Sequence, residues 1–246
     1  MTEFAGKRAL VTGAARGIGA AIALELAERG ADVAFTYVAS TAAAQELSKK
    51  IEALGRRAFA IQADSAVAAE VKRSVEEAVT KLGGLDILVN NAGVLFQGQV
   101  EDMQLEQIDQ ILAVNVRAVV LASQAAIPHL GDGGRIISIG SCLAERVAFG
   151  SVAVYSMSKS ALLAFTRGLS RELGSRGITV NLVHPGPTET EMSPPDAPGA
   201  DAMRAQIALG RYGTDRDVAA AVAFIASPAA KHITGTGLNV DGGMNA

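Results

Sequence analysis

Thr12-Gly13-Ala14-Ala15-Arg16-Gly17-Ile18-Gly19 is the stretch on which the architecture turns. Ahead of it, Lys7 to Thr12 is a short apolar run. Behind it, Ala20 to Arg29 carries apolar residues at helical spacing and closes at Gly30. Strand, glycine turn and helix together leave backbone N–H groups at a helix N-terminus able to hold a pyrophosphate. The spacing is Gly-x3-Gly-x-Gly, not the commoner Gly-x-Gly-x-x-Gly, and a tight turn with no ligand uses the same residues. Three glycines at the first such turn of an alternating chain favour phosphate binding, by Gly13, Arg16, Gly17, Ile18 and Gly19.

The alternation continues to the end of the chain. Val33–Val38 reads as a strand, Thr41–Leu54 as a helix closing at Gly55, Ala58–Gln62 as a strand and Val67–Leu82 as a helix. Asp86–Val89 is the next strand. Leu105–Leu130 is a long helical stretch interrupted near Asn115, an amide among apolar neighbours. Ile136–Ile139 and Ile178–Val183 are strands on either side of a helix through Tyr155. Asp215-Arg216-Asp217 caps a helix to Ala226, and Leu238–Val240 closes the chain. No repeat or linker interrupts this order, so the expectation is an α/β fold with a doubly wound parallel sheet in one domain, residues 1–246. The one sizeable irregular region, Ser193–Ala202, follows a strand's carboxyl end. Segment 187–210 is therefore expected to cover a substrate pocket.

Composition narrows the class. The chain has 246 residues, enough for a large core, and is 49% hydrophobic with no Trp. A net charge of −3 argues against nucleic acid as a partner. A single cysteine, Cys142, allows no internal disulfide and fits a reducing compartment. Met1–Lys7 lacks a signal-peptide pattern, and no apolar run approaches the ~18 residues of a membrane span. A soluble cytoplasmic protein without a membrane partner is the expectation. His129, His184 and His232 show no metal-ligand spacing, so each is read as structural and no metal is expected.

The chemistry concentrates between Ser141 and Lys159. Ser141 ends the Ile136–Ile139 run, where a strand delivers a hydroxyl to the rim of a sheet. Tyr155 and Lys159 lie one turn apart on one helical face. A phenol titrates near ~10, and a fixed cation beside it is expected to lower that value. Hydroxyl, phenol and ammonium together can move a proton onto or off an oxygen. Cys142 is read as a small wall residue, not a nucleophile.

The cofactor reading rests on a gap. A dinucleotide site that takes NAD places Asp or Glu at the end of the second strand. Here that place holds Tyr37-Val38-Ala39-Ser40, and Asp32 lies at the strand's other end. With no carboxylate to repel a 2′-phosphate, and Arg16 available to pair with one, NADP(H) is preferred over NAD(H). Asp64 and Ser65 stand where they can meet an adenine edge, although an Asp before a helix is more often an N-cap. Asn90-Asn91-Ala92-Gly93 suits a backbone running close to a cofactor, or a polar turn.

Over nearly its whole length the chain resembles the classical short-chain dehydrogenases/reductases. The motifs that carry the resemblance are the Thr12–Gly19 turn, Asn90-Asn91-Ala92-Gly93, Asn115, Ser141, Tyr155-x-x-x-Lys159, Pro185-Gly186 and Val240-Asp241-Gly242-Gly243. The family implies a seven-stranded Rossmann sheet and a homotetramer built on long-helix faces and the C-terminal strand. It implies Tyr155 as general acid, Ser141 bonding the carbonyl oxygen and Lys159 lowering the Tyr155 pKa while binding the nicotinamide ribose. Asn115 would hold a relay water. By the same resemblance Arg16, Tyr37 and Ser40, with Ala39 between them, meet the 2′-phosphate. Asn91, Ala92 and Gly93, with Pro185, Gly186, Thr188 and Thr190, line the rest of the cofactor. The nearest likeness within the family is to 3-oxoacyl-[acyl-carrier-protein] reductases and related carbonyl reductases. The Ser141–Tyr155 spacing is one residue longer than in those, with the insertion in Leu143–Val154. The alternatives are an NAD-dependent secondary-alcohol dehydrogenase and a non-catalytic dinucleotide sensor.

Overall fold

Every apolar run of the sequence reading becomes a strand in the computed structural model, which describes residues 2–246. The strands are β1 (Arg8–Val11), β2 (Asp32–Tyr37), β3 (Ala58–Gln62), β4 (Ile87–Asn90), β5 (Arg135–Ile139), β6 (Thr179–Pro185) and β7 (Gly237–Val240). All pair in parallel, in the order β3-β2-β1-β4-β5-β6-β7. The order reverses between β1 and β4, the point at which ligands of open α/β sheets bind beyond the strand carboxyl ends.

Both sheet faces are covered, so the strands read as nearly continuous apolar runs. Alternate side chains still serve opposite layers. Ala9, Val11, Val33 and Phe35 pack under α1 (Gly17–Glu28), α2 (Thr41–Ala53) and α8 (Asp215–Ala226). Leu10, Ala34, Leu88 and Ile136 face α3 (Ala68–Leu82), α5 (Ala118–Ala126) and α6 (Ala153–Leu173). The remaining helices are α4 (Leu105–Leu112) and the short α7 (Ala200–Arg204).

Three sequence expectations need correction. Helix α1 begins at Gly17, not Ala20, because the glycines form its first turn. Asp64 does not cap α3: Val67 holds the cap position, and the Asp64 carboxylate instead accepts from Ala66 N–H at 2.8 Å, a local Asx turn. Leu105–His129 has a window of mean hydropathy 1.6, which passes for a membrane span by length and composition. Half of that window is buried in the domain, with Ala118, Ala122 and Ala126 in the core. The interruption expected near Asn115 is real. Ala113–Arg117 is a π-turn joining α4 to α5, a widening frequent at functional sites.

Candidate active site

The site grows from the carboxyl ends of β1, β4, β5 and β6. At β1, the Thr12 hydroxyl accepts from the N–H groups of Asn91 and Ala92, at 3.0 and 3.1 Å. The Asn91 amide donates back to the carbonyls of Thr12 and Gly13, at 2.9 and 3.0 Å. Thr36 holds Gly13 N–H at 2.9 Å. These bonds lock the glycine turn against the strands beside it. Thr12 heads the motif quoted from the sequence, but its bonds across to Asn91 and Ala92 do not show there, and Thr36 does not stand out at all.

The turn is shaped for close approach. A Cβ on Gly19 would lie 2.4 Å from Asn91 Nδ2 and 2.7 Å from the Gly13 carbonyl oxygen, so only glycine lets α1 sit against β4. Gly13 has φ +62° and would push a Cβ to 2.9 Å from Ala92 Cα. The first turn of α1 contains no acidic side chain, and Arg16 before it makes no side-chain capping bond. The opening N–H groups are thereby left for an anion, so the residues present fit a dinucleotide pyrophosphate. At the end of β2, Ser40 precedes α2 without a side-chain cap bond. Tyr37 is partly buried beside it, and Ala39 is exposed. Asp32, at the far end of β2, is held by Arg57 at 2.8 Å. Ser65 and Ala92 line one niche with Thr36, Ala63 and Val114.

Arg16 is neither free nor aimed only at solvent. Its guanidinium pairs with Glu191, 175 residues along the chain, and both side chains are mostly exposed. Thr190 stands over Gly17, its Cγ2 3.7 Å from where a Cβ would be. Thr188 donates to the Gly186 carbonyl at 2.9 Å and Thr190 to the Thr188 carbonyl at 3.3 Å. The segment after Pro185-Gly186 thus folds down onto the glycine turn. Gly186 is forced by the C-terminal stretch, because a Cβ there would reach 2.6 Å from Asp241 Cα.

The residues expected to handle a proton converge. Lys159 is buried and donates from Nζ to the Ile139 carbonyl at 2.9 Å. Its ammonium lies 5.9 Å from the centre of the Tyr155 ring. Ser141, just past β5, is buried in extended backbone and accepts from Leu143 N–H at 3.1 Å. Asn115 is wholly buried in the π-turn. Its amide accepts from Val94 N–H at 2.9 Å and donates to the Val94 carbonyl at 2.9 Å and to Ser158 Oγ at 3.1 Å. Ser158 in turn donates to the Tyr155 carbonyl at 2.6 Å, so the bond to Ser158 ties Asn115 to α6. Gly93 sits where a Cβ would lie 3.3 Å from Lys159 Nζ and 3.5 Å from Asn115 Oδ1.

Burial reverses one sequence expectation. Desolvation pushes the Tyr155 phenol up to about 12, against the smaller downward pull of its hydrogen bond with Ser141. Desolvation also brings Lys159 down to about 8. The lysine does not depress the phenol here, because burial penalises the charged form of both groups. A neutral phenol is the form that donates a proton. Burial also holds the Cys142 thiol at about 11, which leaves it inert as a nucleophile. The wall beside Tyr155 is apolar: Leu95, Leu143, Phe149, Met203, Ile207 and Tyr212 form one cluster with it, closed from the C-terminal end by Met244. Among the described residues no three His, Cys, Asp or Glu side chains come together as a metal site.

Comparison with known proteins agrees with this geometry. A family model described as enoyl-(acyl carrier protein) reductase matches residues 13–245. A short chain dehydrogenase from Burkholderia cenocepacia J2315, solved in complex with NADP, is 57% identical, with a TM-score of 0.98 over 99% of this chain and 100% of that one. The 3-oxoacyl-[acyl-carrier-protein] reductase of Staphylococcus aureus (strain N315) is 42% identical over 97% of this chain and 98% of its own length. The cyclic-di-GMP-binding biofilm dispersal mediator protein of Escherichia coli (strain K12) is 39% identical over 100% of both chains.

Proposed function

The chain belongs to the short-chain dehydrogenase/reductase family, and on that premise we propose that it reduces a ketone to a secondary alcohol with NADPH. The observation that carries this reading is the convergence of Ser141, Tyr155 and Lys159 beside a glycine turn with an uncapped helix N-terminus. NADP(H) as cofactor is supported by the complex of the 57% identical relative, by the missing acid after β2 and by Arg16 at the turn. NADPH, when bound, supplies the hydride.

The chain's own residues handle the oxygen and its proton. Ser141 Oγ holds the carbonyl oxygen, and Tyr155, kept neutral by burial, donates its proton to that oxygen as negative charge develops there. Lys159 supplies a positive charge close to the phenolate that remains, and the proton is then restored from solvent. Asn115 Oδ1 keeps one free lone pair, and it borders Gly93 together with the Lys159 ammonium, which supports a relay water between them. Gly17, Ile18 and Gly19 hold the pyrophosphate, and Arg16, Tyr37 and Ser40 hold the 2′-phosphate. Asp64 and Ser65 meet the adenine, and Asn91 to Gly93, Pro185, Gly186, Thr188 and Thr190 flank the nicotinamide half. Segment 187–210 contributes Ala200, Met203 and Ile207 to the apolar wall, as a substrate cover does.

That wall suits a ketone with apolar substituents, whether a 3-oxoacyl thioester or a more compact carbonyl compound. The test follows NADPH and NADH loss against 3-oxoacyl thioesters, 3-oxo esters, cyclic ketones and aryl ketones. Turnover of thioesters supports the fatty-acyl reading, and turnover confined to compact ketones places the enzyme among specialised carbonyl reductases. The Escherichia coli relative's name favours a second reading, a nucleotide-binding mediator. Retention of Ser141, Tyr155 and Lys159 argues for catalysis, and absence of turnover across the panel would favour the mediator. Exposed Leu105, Leu112, Val120 and Phe224 on α4, α5 and α8 support the implied homotetramer.

A further inference from the structure

His184 is wholly buried near the end of β6, directly behind Ser141. Its Nδ1 lies 3.2 Å from the Ser141 amide nitrogen and 3.0 Å from the Ser141 carbonyl oxygen. Two glycines make room for the ring. A Cβ on Gly140 would fall 2.4 Å from Nδ1, and one on Gly237 would fall 2.5 Å from Nε2. The ring therefore fills a slot between β5 and β7 that no other residue type at those two positions would leave open.

The ladder shows what the ring replaces. The last β5–β6 rung is Gly140 N–H to the Val183 carbonyl, at 2.8 Å. Pro185 has no N–H with which to continue it. Ser141 follows at once, buried, with its peptide groups beyond the sheet's hydrogen bonding. The Ser141 carbonyl accepts from Ala144 N–H at 3.0 Å, whereas its N–H finds no backbone acceptor; a buried N–H without a partner costs free energy, and the imidazole is the partner within reach. In one neutral tautomer Nδ1 accepts from Ser141 N–H, and in the other Nδ1–H donates to the Ser141 carbonyl. Both bond the same residue through the same ring atom. Nε2 has no partner, so the slot offers nothing to a second ring N–H, and burial lowers the His184 pKa, which keeps the ring neutral. The Ser141 side chain is then aimed from two sides: by the imidazole on its backbone and by Leu143 N–H on its hydroxyl.

We propose that His184 is a positioning residue that sets the Ser141 hydroxyl for the carbonyl oxygen. The inference rests on the catalytic reading of Ser141. Leu and Asn match each other in heavy atoms, and Asn alone can hydrogen-bond where Nδ1 stands. His184→Leu and His184→Asn thus leave cavities of similar size and differ in that bond.

The experiment measures kcat and KM with NADPH and the best ketone of the panel, NADPH Kd by fluorescence titration, and Tm, for both variants and for Ser141→Ala. The expected result is a fall in kcat of ~10-fold or more in His184→Leu, with NADPH Kd unchanged. His184→Asn should return kcat to within about 3-fold of the parent at a Tm like that of the Leu variant. In the Ser141→Ala background His184→Leu should have no further effect on kcat. Equal kcat in folded Leu and Asn variants overturns the proposal. Full turnover by Ser141→Ala overturns the reading of Ser141 instead, so the two failures are distinguishable. If both His184 variants fail to fold, the ring is a core element first, and the positioning claim is overturned as well.

Discussion

Cofactor choice can be worked through from one ion pair. Arg16 and Glu191 pair across the glycine turn with side chains 67% and 72% exposed, so their attraction is strongly screened and worth ~0.2–1 kcal/mol. A 2′-phosphate must draw Arg16 away from Glu191. Glu191→Gln removes that competitor, and NADPH should bind tighter by about 1.4–5-fold. NADH carries no 2′-phosphate, leaves the pair in place and should be unaffected. Arg16→Ala deletes a charge-assisted contact of ~1.5–3 kcal/mol, so NADPH affinity should fall by about 10–150-fold while NADH stays within about twofold. Titrating both cofactors into the parent and the two variants by calorimetry at low and physiological salt reads all of this. Both effects should shrink as salt rises. If Arg16→Ala weakens NADPH and NADH equally, or neither, the 2′-phosphate is held elsewhere and the role given to Arg16 is wrong.

Other outcomes follow from contacts already described. Gly19→Ala puts a Cβ 2.4 Å from Asn91 Nδ2, an overpacking cost of ~1–3 kcal/mol; thermal unfolding should fall by about 2–12 °C, with loss of NADPH binding. Asn115→Leu leaves the part-buried Val94 N–H and carbonyl without their amide partner, and chemical denaturation should register a loss of ~1–3 kcal/mol. The Lys159 ammonium, brought down to about 8 by burial, loses its proton as pH rises through that value, so kcat/KM for reduction should decline on the alkaline side from about pH 8. The sign for stability is opposite. Between about 8 and the ordinary lysine value of 10.5 the unfolded chain binds the proton that the folded chain has shed, so this group makes folding more favourable as pH rises across that window, and Lys159→Met should remove that slope.

Much of the architecture was legible because this sheet is buried on both faces. Short apolar runs around Leu10–Val11 and Ile136–Ile137, bounded by turn residues, read as interior strands, and glycine closes several of the helices between them. Tyr155 and Lys159 were legible as a pair because helical spacing is local. What could not be read is what long-range packing decides. The Arg16–Glu191 pair joins residues 175 apart along the chain, and His184 reads as structural because nothing in its neighbours shows Ser141 in front of it. The phenol's upward shift was missed for a related reason. Four-residue spacing reports a nearby charge, whereas the degree of burial that outweighs it belongs to the whole domain. The π-turn showed in the sequence only as an amide among apolar residues, and its hold on Val94 and Ser158 required the fold.

The central claim is that Tyr155 gives its proton to a carbonyl oxygen. The most direct measurement compares Tyr155→Phe with the parent for NADPH Kd and for kcat on the ketone that the parent turns over fastest. The account predicts unchanged cofactor binding and a fall in kcat of about 10²–10⁴-fold, the usual size of a general-acid contribution. A Phe variant that binds NADPH normally and reduces the ketone at close to the parent rate would contradict it.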